Sequence, residues 1–232
     1  MSDKIVVVMG GNDRQHIKVG HRRLPRFSPA WQRNYEQRVA GVDRNVLEMT
    51  WNELAAVAVT EPERFQRKYI DIGIPTLAQA ATLLGAYPAV TAFVEIKRAS
   101  LRAFGAPIVV RRICEVLKPV VRQCVLVSAD LTAIHEVRRL SSFRIGWMLS
   151  EYSSLSALKS EALVPDYLLC DQQLLTQTTS RLWRGPWRWA IANVASVEDA
   201  ICVAGRGARL VATSAFRRLL GEYKAAPIPP RA

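Results

Sequence analysis

The sequence has few of the residues and segments that mark several protein classes. It contains only three histidines and four cysteines in 232 residues. Its apolar runs are short, as in the segment 4–9, and none approaches the ~20 residues needed to span a bilayer. The N-terminus also lacks the longer apolar stretch of a signal peptide. We therefore expect a cytoplasmic protein without a membrane span.

The four cysteines lack the spacing of a metal site. Cys114, Cys124, Cys170 and Cys202 stand far apart in apolar surroundings, so we predict buried free thiols rather than a disulfide framework. The sequence also has neither the G-x-G-x-x-G nor the Walker glycine pattern after any predicted strand, which argues against a nucleotide-binding sheet.

Acidic residues are too few to balance the basic ones, and the formal net charge is +12 with a pI of about 10.1. One interpretation is a protein that binds nucleic acid or a membrane surface. The other is a basic surface without a dedicated partner, or one suited to an anionic phosphate substrate. The arginines are scattered, with local density at 22–26, and aromatic residues do not alternate with them as in single-strand binders. We do not expect nucleic acid as a partner.

Short β-branched runs recur from about residue 90 onward, at intervals of roughly 20–30 residues, the length of a βα unit. They cover 92–97, 124–128, 144–149, 166–171, 187–192 and 209–213. Helical patterns lie between them at 108–117, 131–140 and 197–204. Six strands of similar weight favour a (β/α) barrel over a doubly wound sheet. We predict a single domain over 1–232.

The first ninety residues follow a different pattern. Residues 4–9 predict a strand, and the Arg-rich stretch 12–48 predicts a long basic loop. Residues 49–58 are helical in pattern. Residues 74–84 predict a second helix, with Pro75 at an early helical position and Thr76 as a candidate cap. Residues 225–232 form a predicted tail.

The strand at 92–97 carries two charged residues on one face. Side chains alternate in a strand, so Phe93, Glu95 and Lys97 point the same way and Val94 and Ile96 the other way. An inward carboxylate beside an inward ammonium is costly unless both are paired or liganded. Two interpretations stay open: a structural salt bridge, or a metal-binding carboxylate with a lysine that holds a phosphate oxygen.

Four segments together resemble the glycerophosphodiester phosphodiesterase family. They are 74–80 (IPTLAQA), 93–97 (FVEIK), Val127-Ser128 and 207–213 (GARLVAT). The resemblance implies a (β/α)₈ barrel of the phospholipase-C-like phosphodiesterase type. It also implies a divalent metal, Mg²⁺ or Ca²⁺, and hydrolysis of a small anionic phosphodiester to glycerol 3-phosphate and an alcohol.

The same resemblance implies roles for particular residues. Glu95 matches a metal ligand, Lys97 the catalytic lysine beside it, and Trp189 lies near an aromatic residue of the substrate pocket. Ser128 and Asn193 are candidate substrate-binding residues at strand ends, although Asn193 is equally suited to cap a turn. Ser128 has no paired histidine, so a serine nucleophile is not supported.

The sequence departs from the family at its N-terminus. The His-Arg-Gly and Glu-x-Asp segments are absent, and Gly10 and Gly11 stand where the family has His-Asp. His16 and His21 lie beyond, out of register. We expect an N-terminally incomplete or degenerate barrel that lacks one or two strands, with weak or no hydrolysis.

Two rival functions stay open: a non-catalytic phosphoryl-ligand or protein-binding role, and a basic nucleic-acid-binding domain. An open sheet edge would also favour self-association.

Overall fold

A computed structural model of the chain describes residues 6–9, 49–57, 74–175 and 181–225. The basic loop expected at 12–48, His16, His21 and the tail beyond residue 225 lie outside this part of the chain.

Seven parallel strands form one sheet whose spatial order follows the order in the chain. They are β1 Val6–Met9, β2 Thr91–Glu95, β3 Cys124–Ser128, β4 Arg144–Met148, β5 Tyr167–Asp171, β6 Arg188–Ala192 and β7 Leu210–Ala212. A doubly wound sheet reverses its strand order at a switch point, and this sheet does not. The predicted barrel-like fold is confirmed; the described residues supply seven strands, with β1 at one end of the order.

Helices alternate with the strands. They are α1 Trp51–Ala55, α2 Leu77–Gly85, α3 Arg98–Phe104, α4 Ala106–Leu117, α5 Leu131–Leu140, α6 Ser154–Leu163, α7 Val197–Gly205 and α8 Phe216–Ala225. Two 3₁₀ turns cover Lys118–Gln123 and Gln172–Leu174. The helices predicted at 108–117, 131–140 and 197–204 are α4, α5 and α7.

The start of α2 corrects one detail of the sequence analysis. Thr76 is the N-cap, as expected, and forms a capping box with Gln79 in which each side chain accepts a hydrogen bond from the other residue's backbone. Pro75 therefore precedes the cap and is not in the first helical turn. Its fixed φ suits the extended entry to the helix equally well.

The two faces of the sheet differ in what covers them. The outer face packs against the helices in one large cluster that includes Val94, Leu126 and Ile145 of the strands and Val110 and Ile134 of the helices. The inner face carries a smaller cluster of strand residues alone: Phe93, Val125, Val127, Tyr167, Leu169 and Ala190. A layer that only strand residues line is the filled interior of a barrel.

The interior is tightly packed. The rings of Phe93 and Tyr167 meet edge to face with their centroids 4.9 Å apart, which joins β2 to β5. Gly146 of β4 lies between them in strand order. A Cβ at this position would lie 2.5 Å from Val127 Cγ1 and 2.9 Å from Leu169 Cδ1, so the interior leaves no room for a side chain there.

Aromatic side chains fill the outer layer next to β6. Tyr152 stacks on Trp183 with centroids 4.1 Å apart, and Trp183 meets Trp189 at 5.5 Å. The described residues between β5 and β6 form only the 3₁₀ turn and the irregular segment 181–187. This aromatic cluster, defined by Tyr152, Trp183 and Trp189, therefore covers the sheet where neighbouring strands have a helix.

The cysteines follow the expectation only in part. All four are free thiols. Cys124 and Cys170 are buried on the outer face, whereas Cys114 is half-buried and Cys202 exposed. Cys202 lies on α7 on the side that faces away from the sheet, which the apolar sequence around it did not reveal.

Among the helices that the structure describes, none has the length and apolar character needed to cross a bilayer.

Candidate functional site

The C-terminal ends of the strands and the loops that follow them form the C-terminal mouth, where (β/α) barrels carry their active sites. Glu95 ends β2 on the same face as the interior residue Phe93, and Val94 and Ile96 pack in the outer cluster. The alternation expected from the sequence is therefore present. Lys97 Nζ lies 2.5 Å from Glu95 Oε2, and only about a tenth of each side chain is exposed (10% and 11%).

The environment of this pair changes the chemistry of the lysine. Burial lowers the pKa of Lys97 below its ordinary value of 10.5, and the charge and hydrogen bond of Glu95 act in the opposite direction. Desolvation disfavours an ammonium that has no partner. The pair can hold an anionic group through Lys97 only if the new ligand replaces part of the interaction with Glu95.

Ser128 holds the ends of β2 and β3 together. Its hydroxyl donates to Ile96 O at 2.9 Å and accepts from Asp130 N at 3.0 Å. The residue is fully buried, on the same face of β3 as Leu126 of the outer cluster. Its described contacts fix the backbone that carries Lys97, and a contact with substrate stays a prediction.

Asn193 and Asp171 form a second polar pair at the mouth. Asn193 follows β6 with φ +62°, a left-handed conformation that Asn tolerates better than most residues. Its Nδ2 donates to Asp171 Oδ2 at 2.7 Å. Asp171 Oδ1 accepts from Gln173 N at 2.8 Å and caps the 3₁₀ turn. The sequence analysis singled out Asn193 as a candidate substrate-binding residue without pairing it with Asp171. Their contact was not predicted because it joins strand ends 22 residues apart.

Trp189 lies in the aromatic cluster on the outer face. It is buried, and its Nε1 donates to Trp183 O at 2.9 Å. The structure thus separates Trp189 from the inward-facing Glu95 and Lys97. Its predicted role in a substrate pocket remains a prediction, and its described contacts are those of a packing residue.

A divalent metal does not fit the residues that the structure describes. Within that part of the chain, no three His, Cys, Asp or Glu side chains lie close enough together to hold a metal ion. Glu95 Oε2 is engaged by Lys97, and both oxygens of Asp171 accept hydrogen bonds. Mg²⁺ and Ca²⁺ prefer six or more oxygen ligands, and one carboxylate already paired with an ammonium does not supply them.

The fold and the position of the charged pair define a class: a (β/α)-barrel-like protein with a polar site at the C-terminal mouth. The solved structures to which this fold is similar include phosphodiesterases. One from Oleispira antarctica, solved in complex with the product sn-glycerol-3-phosphate, superposes with a TM-score of 0.67 at 16% identity, over 81% of this chain and 76% of that one. This likeness confirms the fold that the sequence resemblance implied.

Two further structures share the fold. A glycerophosphodiester phosphodiesterase from Parabacteroides distasonis has a TM-score of 0.62 at 14% identity, over 79% of this chain and 75% of that one. Another, from Agrobacterium tumefaciens, has a TM-score of 0.53 at 12% identity, over 76% and 73%. At these identities the likeness is one of fold.

In sequence, the match lies elsewhere. A family model described as a protein of unknown function (DUF459) matches residues 2–66, and no curated protein matches the chain. Of the described strands and helices, the matched segment contains β1 and α1, and it ends before α2.

Proposed function

We propose that the chain is a glycerophosphodiester phosphodiesterase-family protein that binds small anionic phosphodiesters at the C-terminal mouth and hydrolyses them weakly or not at all. The buried pair of Glu95 and Lys97 is the main support for this proposal. It places a largely buried lysine ammonium at the C-terminal end of β2, on the inner face of the sheet. A phosphate oxygen is the kind of ligand that can share such an ammonium.

The substrate class is supported by the fold. The Oleispira antarctica phosphodiesterase holds sn-glycerol-3-phosphate as product, and the chain has the fold of that enzyme. Glycerol 3-phosphate and its diesters carry the phosphoryl oxygens that Lys97 would bind. Asn193 is a candidate to donate to a ligand hydroxyl, since its side chain is exposed at the C-terminal end of β6.

Weak or absent hydrolysis follows from the groups that phosphodiester cleavage needs. The reaction requires charge neutralisation, an activated nucleophile and a protonated leaving group. Gly10 and Gly11 stand in place of the family's His-Asp. Loss of a general acid–base group typically lowers the rate by about 10²–10⁴. The divalent metal of the family supplies charge neutralisation when bound, and the described residues do not provide its ligands.

A non-catalytic binding role is the second candidate function. The direct ion pair between Lys97 and Glu95 favours it, because a carboxylate oxygen engaged by an ammonium is not free to bind the divalent metal that hydrolysis in the family requires. In this alternative the mouth binds a phosphorylated small molecule and releases it unchanged.

The test is release of glycerol 3-phosphate from glycerophosphocholine and glycerophosphoethanolamine, with Mg²⁺, with Ca²⁺ and with EDTA. Binding of glycerol 3-phosphate is measured in parallel by calorimetry. Lys97→Met should abolish binding. Glu115→Ala serves as the control, since Glu115 forms an exposed ion pair with Arg112 far from the mouth.

We expect binding with little or no turnover. Turnover near the rate of an ordinary enzyme, on the order of 10 s⁻¹, that Glu95→Ala abolishes would contradict the weak activity. Absence of both binding and turnover would contradict the phosphodiester site itself.

A further inference from the structure

The N-terminal face of the sheet is strongly basic. In a (β/α) barrel, the loops that lead from each helix into the next strand lie at the N-terminal ends of the strands. Besides Arg181 and Arg184 of the segment before β6, six cations of the described residues lie in these loops or next to the starts of the strands: Lys118, Arg122, Arg144, Arg188, Arg206 and Arg209. The described residues of the same loops carry one carboxylate, that of Asp166, which accepts a hydrogen bond from Ile145 N at 2.8 Å.

Among the described residues, none of the ion pairs involves Lys118, Arg122, Arg144, Arg188 or Arg209. Those ion pairs join Glu95 to Lys97, Arg112 to Glu115, Arg139 to Glu136 and Arg218 to Glu222. The guanidinium of Arg144 instead donates to Arg122 O at 2.9 Å. That bond holds Arg144 next to Arg122. Because the acceptor is a neutral carbonyl, neither side chain loses its charge.

Apolar side chains project from the same face. Tyr87, in the loop that enters β2, is 58% exposed, and Val164, in the loop that enters β5, is 49% exposed. Both loops are anchored. Gln123 Nε2 donates to Tyr87 O at 2.8 Å, and Arg138 Nη2 donates to Val164 O at 3.0 Å. Exposed apolar residues on fixed loops, among cations, are typical of surfaces that insert into a lipid interface.

The opposite end of the sheet is less basic in the described residues. The strand ends and loops of the C-terminal mouth carry Glu95, Asp130, Glu151 and Asp171, together with Lys97 and the exposed Arg98. Of the two ends, the described N-terminal face is therefore the one that an extended anionic surface attracts more strongly.

We propose that the N-terminal face, defined by the six cations together with Tyr87 and Val164, docks on an anionic lipid surface. The chemistry recognised is a layer of phosphate and carboxylate headgroups above an apolar interior. The face so defined has one aromatic ring, that of Tyr87, whereas single-strand binders stack successive bases on several aromatic side chains; the aliphatic Val164 beside it favours lipid over nucleic acid. Docking in this way directs the C-terminal mouth toward water.

The test is co-sedimentation of the full chain with phosphatidylcholine vesicles, with and without phosphatidylserine, at low and at high salt. The variant Lys118→Gln/Arg188→Gln/Arg209→Gln removes three exposed cations of the N-terminal face. The control variant Arg98→Gln/Arg111→Gln/Lys159→Gln removes three exposed cations elsewhere. Far-UV circular dichroism confirms that both variants are folded.

We expect binding only with phosphatidylserine, weakened by salt. Each cation near the surface contributes about 5-fold, so the first variant should bind about 100-fold more weakly, whereas the control variant should retain most of the binding. Equal losses in the two variants would overturn the proposal, because they would show a general charge effect. Absence of vesicle binding at low salt, or tighter binding to a DNA oligonucleotide than to the vesicles, would also overturn it.

Discussion

At the scale of single residues, Glu95 and Lys97 are two side chains whose separate loss should lower stability. Each is about nine-tenths buried. Removing one partner from a buried ion pair leaves the other charge without compensation, which costs about 3–5 kcal/mol. We therefore expect Lys97→Met and Glu95→Gln each to lower the free energy of unfolding by about 3 kcal/mol. The double variant should lose less stability than either single variant. Urea denaturation measures the free energy of unfolding of all three.

The ion pair also predicts a pH dependence. The folded-state pKa of Lys97 is lowered mainly by burial, from an ordinary value of 10.5. Between the lowered pKa and 10.5, the unfolded chain binds more protons at this residue than the folded chain does. The free energy of unfolding should therefore rise with pH in that window, relative to Lys97→Met. If the free energies of unfolding of the unsubstituted protein and of Lys97→Met change in parallel up to pH 10.5, the pKa of Lys97 is not lowered and the prediction is wrong.

At the scale of elements, Gly146 determines how closely β3, β4 and β5 pack in the interior. A Cβ there would overlap Val127 and Leu169, and overpacking of this kind costs about 1–3 kcal/mol. We expect Gly146→Ala to destabilise the protein by that amount. Gly221→Ala is the control, since its Cβ meets nothing within 4 Å. Within α8 the control should raise the free energy of unfolding by about 0.5–1 kcal/mol. Equal effects of the two substitutions on thermal unfolding would contradict the tight interior.

Periodicity predicted the elements whose pattern is unambiguous. The helix predicted at 131–140 has those bounds in the structure, because its apolar residues form one stripe that packs on the sheet. Helix α6 was not predicted. Its core-facing residues include Ser156 and Ser160, both buried. The Ser160 hydroxyl donates to Ser156 O in the preceding turn, so a polar residue is satisfied inside the core and the apolar pattern that would predict the helix is interrupted.

The candidate site was predictable only where it depends on one strand. Glu95 and Lys97 follow from alternation along β2. The bond between Asp171 and Asn193 depends on the register of β5 against β6 and on a left-handed residue. The outward position of Trp189 depends on an aromatic cluster built from three separate segments. Neither leaves a local signal in the sequence.

At the scale of the whole molecule, the incomplete strand order predicts self-association. Within the described residues, β1 pairs only with β2 and β7 only with β6. Unpaired strand edges favour pairing between copies. We expect the sedimentation coefficient to rise with protein concentration.

Val211→Lys should reduce that association, because Val211 is a partly exposed residue of β7 and charge on an edge strand opposes pairing. Ile201→Lys, on the exposed side of α7, is the matched control. A single sedimenting species over the whole concentration range would contradict association through the edges.

The aromatic cluster of Tyr152, Trp183 and Trp189 has an optical consequence. Two indole rings 5.5 Å apart at an interplanar angle of 63° couple their electronic transitions, which gives a signed pair of bands in circular dichroism. Trp183 belongs to the irregular segment 181–187 before β6 and Trp189 to the strand itself. Their coupled bands therefore report whether that segment is docked on the sheet, without any added label.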